Sequence, residues 1–119
     1  MAVIVVADDE FLLADMMVSV LGDAGHTARA APHGLAALKL IRALRPKLVI
    51  TDFMMPLMTG LELAQAMKDD PELADIPIIL VSGAPGITGR GHPDGFDAVL
   101  DKPCNVVALI DLVQRLLEP

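Results

Sequence analysis

Four short runs of apolar residues constrain the fold of this chain more than any other feature. They cover residues 2–7, 48–51, 78–81 and 98–100, and each is followed by a polar or charged side chain. A continuous run of this length, without polar–apolar alternation, is typical of a strand buried on both faces of a parallel sheet. Residues 27–31 predict one more short strand, which brings the total to five.

Helical patterns separate the strands. Apolar residues recur at helical spacing around residues 13–24, 35–44, 59–68 and 106–117. Alternating strands and helices predict an α/β fold, a doubly wound five-stranded parallel sheet of flavodoxin-like order 2-1-3-4-5 with five flanking helices. The fourth helix is expected to be short or irregular, because residues 83–95 contain five glycines and two prolines. We expect residues 1–119 to form one domain.

Composition excludes several classes of protein. The formal net charge of −7 argues against direct nucleic-acid binding, and three Phe with no Tyr or Trp argue against a base-stacking surface. No apolar run approaches the ~18 residues that span a bilayer, and the N-terminus lacks the basic segment of a signal peptide. The single cysteine, Cys104, fits a reducing compartment, so we expect a cytoplasmic protein. An apolar content of 54% leaves a homodimer open.

The polar residues that follow the strands form a second pattern. Asp8 and Asp9 follow the first strand, Asp52 ends the third, Ser82 ends the fourth, and Lys102 follows the fifth. In a doubly wound sheet the carboxyl ends of the strands lie along one edge, where ligands bind at the reversal of strand order. We therefore expect these five side chains to line one site.

Clustered carboxylates need a cation. Two of them ~4 Å apart repel by about 4 kcal/mol at an effective dielectric constant near 20. Lys102 supplies one positive charge, and oxygen ligands favour Mg²⁺, or Mn²⁺ in its place. Taken singly, each aspartate also fits a turn or a helix cap, Ser82 a turn hydroxyl and Lys102 a solvated charge. Their occurrence at four strand ends favours phosphoryl transfer onto a carboxylate.

These residues also carry a family resemblance. The acidic run at residues 8–10, the D-x-x-M-P-x-M-x-G segment at residues 52–60, Ser82 and the Lys-Pro pair at residues 102–103 resemble the receiver domain of bacterial two-component response regulators. The resemblance covers the whole chain and implies a stand-alone, chemotaxis-type single-domain regulator.

The resemblance implies a phosphoacceptor and its metal. Asp52 would take a phosphoryl group from a sensor histidine kinase or a phosphotransfer protein. Asp8 or Asp9, Asp52 and the backbone carbonyl of Met54 would hold Mg²⁺, with Asp9 as the direct ligand of the acidic pair. The protein would then assist its own phosphorylation and slow dephosphorylation without being a multiple-turnover enzyme.

The resemblance also implies a switch. Lys102 would contact the phosphoryl group, Ser82 would reorient toward it, and the peptide bond at 102–103 would be cis. The altered surface would bind an unknown downstream protein.

Three departures from the family pattern affect the expected mechanism. Val99 stands where the family has its switch aromatic, so coupling through a moving ring is not expected. Met54 and Ala84 occupy the two positions that tune self-dephosphorylation, and neither side chain can orient an attacking water. We therefore expect slow hydrolysis of the phosphoaspartate. The glycine-rich segment 83–95 replaces a regular helix, which implies a different preference for partners.

Three alternatives stay open at this stage. The chain could be a receiver excised from a larger regulator or hybrid kinase. It could be a metal-dependent aspartyl phosphatase, although such enzymes space their first acid pair by one residue and Asp8 and Asp9 are adjacent. It could also be a degenerate receiver that binds partners without phosphorylation, against which the complete set of acids, hydroxyl and lysine argues.

Overall fold

The computed structural model describes residues 2–83, 95–102 and 105–118. Five parallel strands form a single sheet in the order β2-β1-β3-β4-β5. Their bounds are Val3–Ala7 (β1), Thr27–Ala31 (β2), Leu48–Asp52 (β3), Ile78–Ser82 (β4) and Ala98–Asp101 (β5). The predicted fold class and strand order are confirmed.

Four helices lie within the described residues, one fewer than predicted. They are Phe11–Asp23 (α1), Gly34–Leu44 (α2), Gly60–Lys68 (α3) and Val106–Leu117 (α4). The short or irregular helix expected between β4 and β5 falls on residues 84–94, which include Ala84 and lie outside the described residues. The cis peptide bond expected at 102–103 also involves a residue outside them, Pro103. None of the four helices is long and apolar enough to cross a membrane.

Both faces of the sheet are covered. Val5, Val49 and Leu80 point to one face and pack under α2 and α3. Ile4, Ile50 and Val81 point to the other and pack under α1 and α4. Every residue of β3 and β4 is buried, which explains why their sequences show no alternation. Strand β2 lies at the edge and is mostly exposed, which explains its weak apolar signal.

Local hydrogen bonds set the helix ends that the sequence predicts. Gly25 follows α1 with φ of +95°, a conformation that suits glycine after a helix, and its N–H donates to the Gly22 carbonyl. Helix α3 begins with the predicted capping box, in which Thr59 and Glu62 exchange side-chain and backbone hydrogen bonds. These ends fix the loops that carry the polar residues at the carboxyl edge of the sheet.

Adjacent methionines of α1 differ in burial. Met17 is buried, as is Met67 on α3, whereas Met16 is 36% exposed. The reason is geometric, because adjacent helical positions are rotated by about 100° and only Met17 faces the sheet.

Candidate functional site

The carboxyl ends of four strands enclose a cavity of about 410 Å³. Its walls come from the β1–α1 connection, the β3–α3 loop, the end of β4 and the residue after β5, namely Asp9, Glu10, Asp52, Phe53, Met54, Ser82, Gly83 and Lys102. Asp8 lies behind this wall, buried to 3% exposure. The structure therefore gathers the polar residues that the sequence places at the strand ends.

Lys102 occupies the centre of the charged cluster. Its Nζ lies 2.9 Å from Glu10 Oε1, 3.2 Å from Asp52 Oδ2 and 3.7 Å from Asp8 Oδ2. Burial lowers the pKa of this ammonium, but the Glu10 hydrogen bond and the charges of Asp8 and Asp52 together raise it above its ordinary value. Lys102 therefore stays charged at neutral pH. Three carboxylates against one ammonium leave an excess of two negative charges.

Asp52 is held by both of its carboxylate oxygens. Oδ1 accepts a hydrogen bond of 2.8 Å from the N–H of Phe53, and Oδ2 pairs with Lys102. Burial raises the pKa of this carboxyl, while the charge and hydrogen bond of Lys102 oppose that effect. Asp52 as a whole is 7% exposed and borders the cavity. Its orientation suits a nucleophile that meets a ligand from the cavity.

Asp8 is the more perturbed carboxyl. Burial raises its pKa from 3.8 to about 6, assisted by the negative charge of Asp52 and opposed by a 2.8 Å hydrogen bond from the N–H of Glu10 and by Lys102. A second positive charge in the cluster would favour the ionised form of this group. Binding of a cation in this cluster would therefore be coupled to loss of the proton from Asp8.

The donor set fits a divalent cation that prefers oxygen. Carboxylate oxygens of Asp8, Glu10 and Asp52 lie within 4.8 Å of one another. Such oxygen ligands suit Mg²⁺ or Mn²⁺. Asp9, which the resemblance makes the direct ligand, is exposed and borders the same cavity, outside this triad. Glu10 is not among the side chains that the strand ends predict for the site; its position in the acidic run at residues 8–10 is the available signal.

Ser82 and Met54 both border the cavity. Ser82 ends β4, is 1% exposed, and its carbonyl accepts a 2.9 Å hydrogen bond from the N–H of Lys102. Met54 is 63% exposed on the β3–α3 loop.

Gly60 fixes the loop that carries Asp52. Its N–H donates a 2.8 Å hydrogen bond to the carbonyl of Phe53. A Cβ at this position would meet the carbonyl oxygen of Asp52 and lie 3.3 Å from the Cα of Phe53. Only a residue without a side chain allows α3 to begin this close to the end of β3.

Val99 occupies the position at which the family resemblance leads us to expect a switch aromatic. It pairs with Leu80 in the β4–β5 register and is partly buried against the core under α2 and α3. Phe96, three residues earlier, is itself buried in that core. A branched aliphatic side chain therefore fills this position.

A family model described as the response regulator receiver domain matches residues 4–114. The chain belongs to this family. The receiver-domain match includes all five strands except for Val3 at the start of β1, and it includes all the cavity residues described above.

Individual receiver proteins are similar along nearly their full length. The polar-differentiation response regulator DivK of Brucella anthropi is 32% identical over 116 residues, covering 96% of this chain and 94% of the relative. The structure of chemotaxis protein CheY4 of Vibrio cholerae superimposes with a TM-score of 0.89 at 30% identity, covering 98% and 99% of the two chains. The structure of the response regulator TrrA of Thermotoga maritima, solved in complex with Mg²⁺–BeF, superimposes with a TM-score of 0.88 at 29% identity, covering 98% of this chain and 100% of TrrA.

Proposed function

We propose that this receiver domain accepts a phosphoryl group on Asp52 from a sensor histidine kinase or a phosphotransfer protein, in a reaction that depends on Mg²⁺. The observation that carries the proposal is the presentation of Asp52 at the end of a buried strand, between the Phe53 N–H and the Lys102 ammonium. A solved relative in complex with Mg²⁺–BeF supports the choice of metal and of a phosphoryl-like ligand.

The chemistry follows from the positions of the charged groups. A carboxylate oxygen of Asp52 attacks phosphorus, a P–O bond forms, and the P–N bond to the donor imidazole breaks. The Phe53 N–H and Lys102 hold the carboxylate in place, and Lys102 neutralises charge on the transferred oxygens. The acidic pair Asp8 and Asp9, with Asp52, would hold Mg²⁺, which supplies further neutralisation of the phosphoryl oxygens.

Two further residues complete the proposed site. The Met54 backbone carbonyl would provide another metal ligand. The Ser82 hydroxyl would turn to bond the phosphoryl group and so report phosphorylation to β4 and β5. Val99 lacks a ring to move inward, so the signal would pass through backbone and aliphatic packing next to β5 and α4. An unknown downstream protein would read that surface.

The proposal extends to the cellular context. We propose a stand-alone regulator in the cytoplasm, where its phosphoryl donors act, with no direct contact to nucleic acid. A receiver that belongs to a larger regulator or hybrid kinase would use the same site, and the full-length gene would distinguish the two. A homodimer is compatible with either form.

Intact-mass spectrometry tests the acceptor. Wild type and two variants are incubated with acetyl phosphate and Mg²⁺. The first variant is Asp52→Ala, and the second is a control, Asp101→Ala, which removes an exposed carboxylate at the end of β5. Wild type and the control should gain one phosphoryl mass that disappears when Mg²⁺ is chelated, and Asp52→Ala should gain none. Phosphorylation of Asp52→Ala to the wild-type extent would reject Asp52 as the acceptor.

An aspartyl phosphatase would give a different result. It would release inorganic phosphate from small phosphate esters over many turnovers. A receiver instead becomes modified once and then hydrolyses its own phosphoaspartate. Multiple turnover on such esters, abolished in Asp52→Ala, would favour the phosphatase.

A further inference from the structure

Glu10 makes the shortest of the three ion pairs of Lys102, and the proposed phosphoryl transfer does not use it. Its Oε1 accepts a hydrogen bond of 2.9 Å from Lys102 Nζ, shorter than the 3.2 Å between that nitrogen and Asp52. The Glu10 side chain is 62% exposed, whereas that of Lys102 is 17% exposed. The contact therefore joins an exposed surface carboxylate to a mostly buried ammonium.

The side chain of Glu10 is not needed to begin α1. Glu10 is the residue before the helix, and its side chain makes no capping hydrogen bond. Its backbone supplies the local structure instead, since the N–H donates to Asp8 Oδ1 and the carbonyl accepts from Ala14. Replacing the carboxylate can therefore remove the negative charge that faces Lys102 without removing the turn.

Lys102 has three N–H donors and faces three carboxylates. A phosphoryl group that arrives on Asp52 needs at least one of these donors. Asp8 is buried and fixed by a backbone hydrogen bond, and Asp52 is the acceptor itself. Glu10, on the solvent side, is the partner that can leave.

We propose that Glu10 is a positioning residue that holds Lys102 before phosphorylation and is displaced by the phosphoryl group. This inference rests on the proposed function and adds a residue to it. Because Glu10 carries a negative charge, it competes with the anionic phosphoryl group for Lys102 and at the same time favours a divalent cation beside Asp8 and Asp52. Removing that charge should therefore change the two affinities in opposite directions.

Nuclear magnetic resonance measures both affinities, since the chain has no Trp or Tyr to provide an intrinsic fluorescence signal. Amide shifts are followed first in a titration with Mg²⁺ alone, then in a titration with beryllofluoride at saturating Mg²⁺. The variant is Glu10→Gln, which keeps the shape of the side chain. The control is Asp15→Asn, which removes one negative charge from the exposed side of α1. Thermal denaturation checks that both variants fold.

Glu10→Gln should bind beryllofluoride about three- to tenfold more tightly than wild type, the range expected for a partly exposed charged contact. It should bind Mg²⁺ severalfold more weakly, and Asp15→Asn should change neither affinity by more than about twofold. Unchanged or weaker binding of beryllofluoride by Glu10→Gln would overturn the role of Glu10. A parallel loss of both affinities would also overturn it, because that pattern indicates a metal ligand or damaged structure. Failure of the wild-type protein to bind beryllofluoride or to be phosphorylated would instead reject the proposed function.

Discussion

Substitution of Gly60 by alanine should loosen the attachment to α3 of β3, the strand that carries the proposed phosphoacceptor. The new Cβ would meet the carbonyl oxygen of Asp52 and lie 3.2 Å from its carbonyl carbon and 3.3 Å from the Cα of Phe53. All three neighbours belong to the backbone, so no side-chain rotation relieves the contact. The end of β3 or the start of α3 must move, and Asp52 moves with it.

The close contact should lower the free energy of unfolding by about 2–3 kcal/mol, the upper end of the range for volume added to a packed region. The better helix propensity of alanine should offset less than about 1 kcal/mol of this loss at the first position of a helix. The net loss in free energy of unfolding is therefore about 2 kcal/mol. Gly22→Ala is the matched control, because Gly22 lies in α1 with nothing within 4 Å of its added Cβ. That variant should gain about 0.5–1 kcal/mol.

Urea denaturation and thermal denaturation, each followed by far-ultraviolet circular dichroism, measure both variants. The two thermal midpoints should differ by roughly 10 °C for a domain of this size. Gly60→Ala should also be phosphorylated more slowly by acetyl phosphate, while Gly22→Ala should react like wild type. Equal stability of Gly60→Ala and Gly22→Ala would show that the reasoning from the close contact is wrong.

Three other predictions follow from the site and its loop. Because burial raises the pKa of Asp8 from 3.8 to about 6, the folded state binds its proton more tightly than the unfolded state, and this group lowers stability as pH rises through that interval. In urea titrations without Mg²⁺, Asp8→Asn should raise the free energy of unfolding by about 1–2 kcal/mol at neutral pH and leave it unchanged at a pH well below 3.8, the unfolded pKa. An equal gain at the two pH values would show that the raised pKa of Asp8 is not the cause. Met54→Asn should shorten the lifetime of the phosphorylated protein severalfold, measured by intact mass, and a longer lifetime would refute the role assigned to that position. Thr59→Ala removes the side chain that caps α3 and should lower the free energy of unfolding by about 1 kcal/mol, with no loss expected if the cap were unimportant.

The fold was accessible from the sequence because burial on both faces leaves a distinct signature. The central strands β3 and β4 are apolar except for the polar residues at their carboxyl ends, and the alternation of strands and helices indicates a parallel, doubly wound sheet. The capping box at Thr59 was equally direct, since two side chains at fixed spacing form it. Edge strand β2 gave a weak signal because one side of it faces solvent.

The sequence located the polar residues of the site better than it assigned their contacts. Strand ends bring Asp52, Ser82 and Lys102 together whatever their rotamers are. The partner that lies nearest to Lys102 depends on the turn into α1, which buries Asp8 and directs Glu10 toward the lysine. No residue pattern fixes that turn, so the contact between Glu10 and Lys102 could not be predicted from the sequence.

The glycine-rich segment and Val99 mark where this receiver departs from its family. Gly and Pro at residues 83–95 argue against a regular helix before β5, and most of that segment lies outside the described residues. Val99 leaves no ring beside Leu80. The proposed route from Ser82 to a partner surface therefore depends on β5 and α4. Amide shifts in residues 95–102 that stay unchanged on phosphorylation would contradict that route.

Reductive trapping of the phosphorylated residue is the most direct test of the central claim. Borohydride converts an aspartyl phosphate to homoserine, and tandem mass spectrometry of the digested protein then locates the product in the chain. After treatment with acetyl phosphate and Mg²⁺, we expect homoserine at position 52 and unmodified Asp8 and Asp9. Homoserine at either of those residues, or none at position 52 in protein that carries the phosphoryl mass, would contradict it.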